Sequence, residues 1–314
     1  MPTTTTVRSS VRAFARYAWC VLAFNVAVVL WGAFVRATGS GAGCGQHWPL
    51  CNGDILPVAP TLKTIIEFTH RATSGIDLAM VALLLVWAFR AFPRRHPVRL
   101  GAVLSAIFLM TEALIGAALV LLEHVAKNQS SARGYSLSAH LINTLILLAC
   151  LTLTAWWAMG KPPVRVAGRP AWMAAASLAI VMTLGVSGAI AALGDTLFPA
   201  RSLAEAFAQD FDPAASIFVR LRVLHPVIAA LAGAWLVFYG VTIAGRRPDL
   251  RPRAWLLLGL VGAQIAAGVA NLLLRAPVWM QMLHLLLADA LWITLVLLCA
   301  GVLKSSEVLA DNKG

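Results

Sequence analysis

Four of the seven histidines in this chain, His70, His140, His225 and His284, lie inside apolar stretches. Each follows the start of its stretch by roughly six to ten residues, about 9–15 Å at the helical rise. Neutral imidazole on a helix is the commonest protein ligand for haem iron. Four such groups at one depth suggest two sites, each closed by a facing pair. Zinc is a poorer match, because no carboxylate or thiol stands at ligand spacing beside the second pair.

Charged neighbours make the two pairs chemically different. In the stretch Glu67-Phe-Thr-His70-Arg71-Ala-Thr-Ser74-Gly-Ile-Asp77, residues Glu67, His70, Ser74 and Asp77 fall on one helical face. A carboxylate one turn from a buried imidazole is costly in a bilayer unless it faces protein or water. Glu67 is therefore either an interfacial acid or an acid–base group beside whatever His70 binds. The corresponding stretch Arg220-Leu-Arg222-Val-Leu-His225-Pro226 carries arginine at the equivalent position. Arg222 is thus a candidate clamp for haem propionates. Glu112 reaches a similar depth, either as a partner of the first site or as a neutral buried acid, and its counterpart is Gln264. Asn143, one turn beyond His140, is placed to orient that ligand. Asn271 and Asp289 are weaker candidates in the second half.

The segment from Arg36 to Cys51 is rich in glycine and holds Cys44, His47 and Cys51. Its glycines permit a tight path over a bundle mouth. Cys44 and Cys51 are expected on the oxidising side and can close a small disulfide loop, either a structural staple or a redox-active pair. Cys20, Cys150 and Cys299 are solitary and read as packing residues. His96 and His124 read as ordinary polar loop residues.

These groups need a frame. The chain has 314 residues, 60% hydrophobic and 12% charged, with a mean hydropathy of +0.81. That composition exceeds what a soluble core needs and indicates an all-α integral membrane protein. Eight apolar runs of spanning length occur, near 17–36, 64–91, 98–122, 134–159, 171–193, 215–244, 254–274 and 278–303. The net charge of +12 does not indicate nucleic-acid binding, because the basic residues cluster between alternate runs. Arg8, Arg12 and Arg16, then Arg90 to Arg99, Lys161 to Arg169, Arg246 to Arg253, and Lys304 with Lys313 share one side. The positive-inside rule makes that side cytoplasmic and puts both termini there. The four histidines then lie toward the outer side, and the first span reads as an uncleaved anchor in the cell membrane.

Runs 1–4 and 5–8 look like two copies of one unit. Even-numbered runs carry the histidines, and Glu112-Ala-Leu-Ile-Gly116 parallels Gln264-Ile-Ala-Ala-Gly268. The expected organisation is a segment 1–16, a four-helix bundle at 17–160, a linker at 161–170, a second bundle at 171–303 and a polar tail at 304–314, disordered from Ser305. The two bundles should be pseudo-symmetric about the membrane normal. Residues 194–216 are expected to form an acidic outer loop without a motif.

On these residues the chain resembles the haem A synthases. The resemblance covers nearly its whole length and is most specific at Gly43-Cys44-Gly45, at Trp48-Pro49-Leu50-Cys51 and at Glu67-Phe-Thr-His70-Arg71. It implies oxidation of a ring methyl of haem O to the formyl of haem A, through successive hydroxylations to a geminal diol that loses water. It implies a haem b cofactor between His225 and His284, substrate haem at His70 and His140, and Glu67 as the essential acid. It also implies a haem O synthase as partner, an unidentified membrane electron partner, and an arrangement compatible with a homo-oligomer. Some members carry a second cysteine pair in the later outer loop, and residues 194–216 contain none. The alternatives are a di-haem electron-transfer cytochrome b and a haem carrier. Haems at two depths would suit the cytochrome, whereas these four ligands lie at one.

Overall fold

The computed structural model describes residues 4–304, with side chains from Val11 onward. Arg8, Lys313 and the expected tail from Ser305 therefore lie outside the described side chains. The order is α1 (Thr4–Ala37), α2 (Leu62–Ala91), α3 (Pro97–Leu121), α4 (Ser131–Ala158), α5 (Gly168–Leu197), α6 (Leu203–Phe211), α7 (Ile217–Arg222), α8 (Leu224–Arg246), α9 (Arg251–Leu273) and α10 (Val278–Val302). A single 3-10 turn at Pro248–Leu250 leads into α9. Eight spans, with α7 and α8 counted as one, are long and apolar enough to cross a membrane. The chain is a multi-pass membrane protein.

Two differences from the expected elements have local causes. The sixth span breaks at Val223 into α7 and α8. Pro226 has no N–H to donate to Arg222, and its ring collides with that carbonyl, so the helix cannot run through. The expected loop at 194–216 is largely helical. Helix α5 continues to Leu197, and Ser202 starts α6 by accepting from Glu205 N–H while Glu205 accepts from Arg201 N–H. Ser-x-x-Glu is the signature of a capping box. His96, expected to be an ordinary loop residue, caps α3: its Nδ1 accepts from Val98 N–H, and Pro97 occupies the first helical position.

Helices α4 and α10 are the most deeply buried spans. Helix α4 packs on α3, α1, α5 and α10, and α10 packs on α9, α4, α1 and α5. Trp292 of α10 donates to the Leu145 carbonyl of α4 at 2.7 Å, which ties the inner pair. The closely packed apolar core contains Phe14, Val21, Leu84, Leu148, Leu151, Leu257, Leu295 and Leu298. Its members come from the end of each span remote from the histidines, and its nearest buried members on the histidine-bearing helices are Val81, Leu145, Leu236 and Leu291, one to three turns from the imidazoles.

Candidate functional site

Each histidine rests against a glycine of the preceding span. A Cβ at Gly32 of α1 would come within 3.0 Å of the His70 ring, at Gly188 of α5 within 3.0 Å of His225, and at Gly268 of α9 within 3.2 Å of His284. At Gly116 of α3 the corresponding approach to His140 is 4.0 Å, an ordinary contact. Three of these positions therefore admit no larger residue without moving an imidazole. The glycine and histidine of each pairing lie on helices α1 and α2, α3 and α4, α5 and α8, and α9 and α10. His70 and His140 lie close enough for their charges to interact, and so do His225 and His284.

The hydrogen-bond partners of the two pairs differ. His140 Nδ1 lies 3.0 Å from Glu112 Oε1, although the ring N–H is not aligned along that contact. Glu112 also accepts from Asn143 Nδ2 at 2.5 Å and from the Thr144 hydroxyl. Asn143 donates to the Phe108 carbonyl as well and accepts from Thr111. Glu112 thus lies beside His140 and within a cluster of polar partners on α3 and α4. Asn143 reaches that imidazole only through Glu112. In the other pair the neighbours are neutral: Ser187 Oγ stands 2.9 Å from His225 Nδ1, and Gln264 Nε2 stands 3.3 Å from His284 Nε2. The Nδ1 atoms of His70 and His284 are buried without partners, as are Asp289 Oδ2 and Asn271 Oδ1.

Glu67 is buried, with 3% of its surface exposed. Its Oε2 accepts from Cys44 N–H at 2.8 Å, and its Oε1 pairs with Arg71 at 2.5 Å. Arg71 also donates to the carbonyls of His47 and Leu50. Cys44 and Cys51 form a disulfide. Thr64 donates to the Gly43 carbonyl, and a Cβ at Gly43 would lie 2.4 Å from the Lys63 carbonyl oxygen. The cystine loop is thus seated on the first turns of α2, and Glu67 joins it to the helix that carries His70. The glycines against the imidazoles and Ser187 escape a reading of the sequence, because nothing local distinguishes them from other small residues of a span.

Arg222 has partners that the sequence did not suggest. Its guanidinium binds Asp195 of α5 at 2.8 Å and Asp210 of α6 at 2.6 Å. Two carboxylates more than neutralise it, so it joins α5, α6 and α7 rather than standing ready for a ligand carboxylate. Both acids lie a dozen or more residues before it, beyond the reach of a spacing argument.

An eight-span helical protein with two facing histidine pairs is the class that these features define. Residues 15–296 match the COX15-CtaA family, described as cytochrome oxidase assembly protein. The chain belongs to this haem A synthase family. Over 294 residues it is 52% identical to a Thermus thermophilus protein named protoheme IX farnesyltransferase, a match that covers 92% of this chain and 48% of that protein. It is 36% identical over 137 residues to the heme A synthase of Halalkalibacterium halodurans, covering 44% of each chain. It is 40% identical over 124 residues to that of Bacillus mycoides, covering 40% of this chain and 39% of the relative. The chain thus spans about half the length of the Thermus relative.

Proposed function

We propose that this chain is a haem A synthase that oxidises a ring methyl group of haem O to the formyl group of haem A. The observation that carries this reading is the uneven placement of acid. Glu112 contacts His140 and Glu67 lies one turn before His70 on α2, whereas Ser187 and Gln264 stand beside His225 and His284. A converting site needs groups that move protons, and a site for a resident cofactor does not.

Haem at both pairs is supported by the glycines behind the imidazoles and by the Nδ1 atoms of His70 and His284, which are buried without partners among the described residues. His70 and His140 would hold the substrate. Glu112 orients His140 and raises its basicity as a ligand, in the manner of carboxylate–histidine pairs at metal sites. Glu67 is the proton-handling group, and Arg71 keeps its carboxylate aimed under the cystine loop. That loop covers the site and limits entry of bulk water. His225 and His284 would hold haem b, which supplies one-electron transfer when bound.

The matched Gly–His pairs support a duplicated, pseudo-symmetric arrangement of two four-helix bundles. Charge placement supports cytoplasmic termini and histidines toward the outer face of the cell membrane. The Thermus relative bears the name of a farnesylating enzyme, yet the half that matches belongs to the assembly family. The test is pigment extraction from membranes that express the chain together with a haem O source. Haem A should appear, and haem O alone with the protein present would contradict the proposal.

A further inference from the structure

Arg36 is the penultimate residue of α1, yet its guanidinium turns into the other half of the molecule. One nitrogen donates to the Ala192 carbonyl at 2.8 Å and to the Thr196 hydroxyl at 2.9 Å, both on α5. Another donates to Gln281 Oε1 on α10 at 3.0 Å. All three acceptors are neutral. Among the described residues no carboxylate comes within ion-pair distance of Arg36, and Asp195, whose charge it feels, is held by Arg222. Among the described residues Arg133, a cation near Arg36, has no carboxylate partner and its side chain donates to the Ala126 and Asn128 carbonyls. A partly buried cation facing only neutral acceptors is poorly compensated unless an anion joins it.

Its place relative to the second histidine pair indicates which anion. Ala192 stands one turn beyond Gly188, the glycine against His225, and Gln281 stands one turn before His284. The guanidinium therefore lies about 5 Å, one helical pitch, outward of that pair. We propose that Arg36 is the carboxylate clamp of the His225/His284 pocket and receives a propionate of the porphyrin held there. The inference rests on the haem reading above. It gives Arg36 the role that the sequence suggested for Arg222, whose charge Asp195 and Asp210 already satisfy. It also means that the N-terminal half completes the pocket of the C-terminal half, so the C-terminal half does not form a full cofactor site alone.

The experiment uses the purified full chain with His140→Ala, so that only the His225/His284 pair can supply two imidazoles to one iron. Protohaem and its dimethyl ester, which lacks carboxylates, are titrated separately and followed by the bis-imidazole absorption spectrum. With Arg36 intact the free acid should bind on the order of tenfold more tightly than the ester, as one charge-assisted pair requires. Arg36→Gln should abolish that preference and keep the spectrum. Arg36→Lys, which retains charge but not the two-pronged geometry, should reduce it severalfold and serves where the glutamine variant does not accumulate. An undiminished preference in either variant overturns the clamp. Binding of both ligands without preference when Arg36 is intact overturns it too and leaves the haem reading standing. Failure of both ligands to give the bis-imidazole spectrum overturns both.

Discussion

Both oxygens of Glu67 are engaged, one by the Cys44 amide and one by Arg71. Replacement by glutamine keeps an acceptor for the amide and removes the negative charge. Glu67→Gln should therefore retain its haem and lower formyl production by on the order of a hundredfold or more, the usual weight of a positioned proton-transfer group. Pigment extraction measures both quantities, and full turnover in this variant would remove Glu67 from the chemistry. A second prediction concerns space. At Gly188 a Cβ already meets the His225 ring at 3.0 Å, whereas at Gly75 it would meet nothing within 4 Å. Gly188→Val should displace the imidazole and erase the haem b spectrum, and Gly75→Ala should leave it unchanged. An intact spectrum in Gly188→Val would show that His225 does not need its present seat. The four histidines and Glu112 were legible in the sequence because charge and imidazole are rare in apolar runs. The glycines were not, because their meaning lies across the helix interface.

At the scale of elements, the ends of the helices carry testable energetics. The cap of α3 depends on an unprotonated His96 Nδ1 accepting from Val98. Burial pushes the His96 imidazole below its ordinary range, so the folded state favours the neutral ring. A histidine lowered in this way stabilises above its unfolded pKa of about 6.5 and loses that contribution as pH falls through the folded value. His96→Ala should cost about 1 kcal/mol at about pH 8 and progressively less on acidification. Thermal unfolding of the two proteins across pH measures this, and a cost that grows toward acid would contradict the cap. Arg71→Ala should loosen the cystine loop from α2, because its two carbonyl contacts and the Glu67 pair vanish together. Faster proteolysis between residues 45 and 50 would report the loss, and unchanged cleavage would show that Thr64 and Glu67 suffice. The eight spans followed directly from hydropathy, and the break at Val223 follows from Pro226. Helix α6 was hidden because a short amphipathic segment carries acids that resemble a loop.

At the scale of the molecule, the packed core fills one end of the spans, and the four histidines lie one to three turns beyond it. Glycines against the imidazoles would let one frame hold two sites at one depth. The sequence suggested that Glu67 and Arg222 distinguish those sites. The structure adds Glu112 beside His140 to the acids near the first pair. The second half of that contrast rests instead on neutral Ser187 and Gln264, since Arg222 belongs to an acid cluster of α5 and α6. Pairings between distant helices are set by tertiary packing, and one sequence does not disclose them. The central claim is a division of labour between one converting pair and one resident pair. Its most direct test is the haem content of two purified variants, His140→Ala and His284→Ala, made with a haem O source present. The account predicts that His140→Ala retains haem b and forms no haem A, and that His284→Ala loses haem b. Loss of haem b in His140→Ala together with its retention in His284→Ala would contradict it.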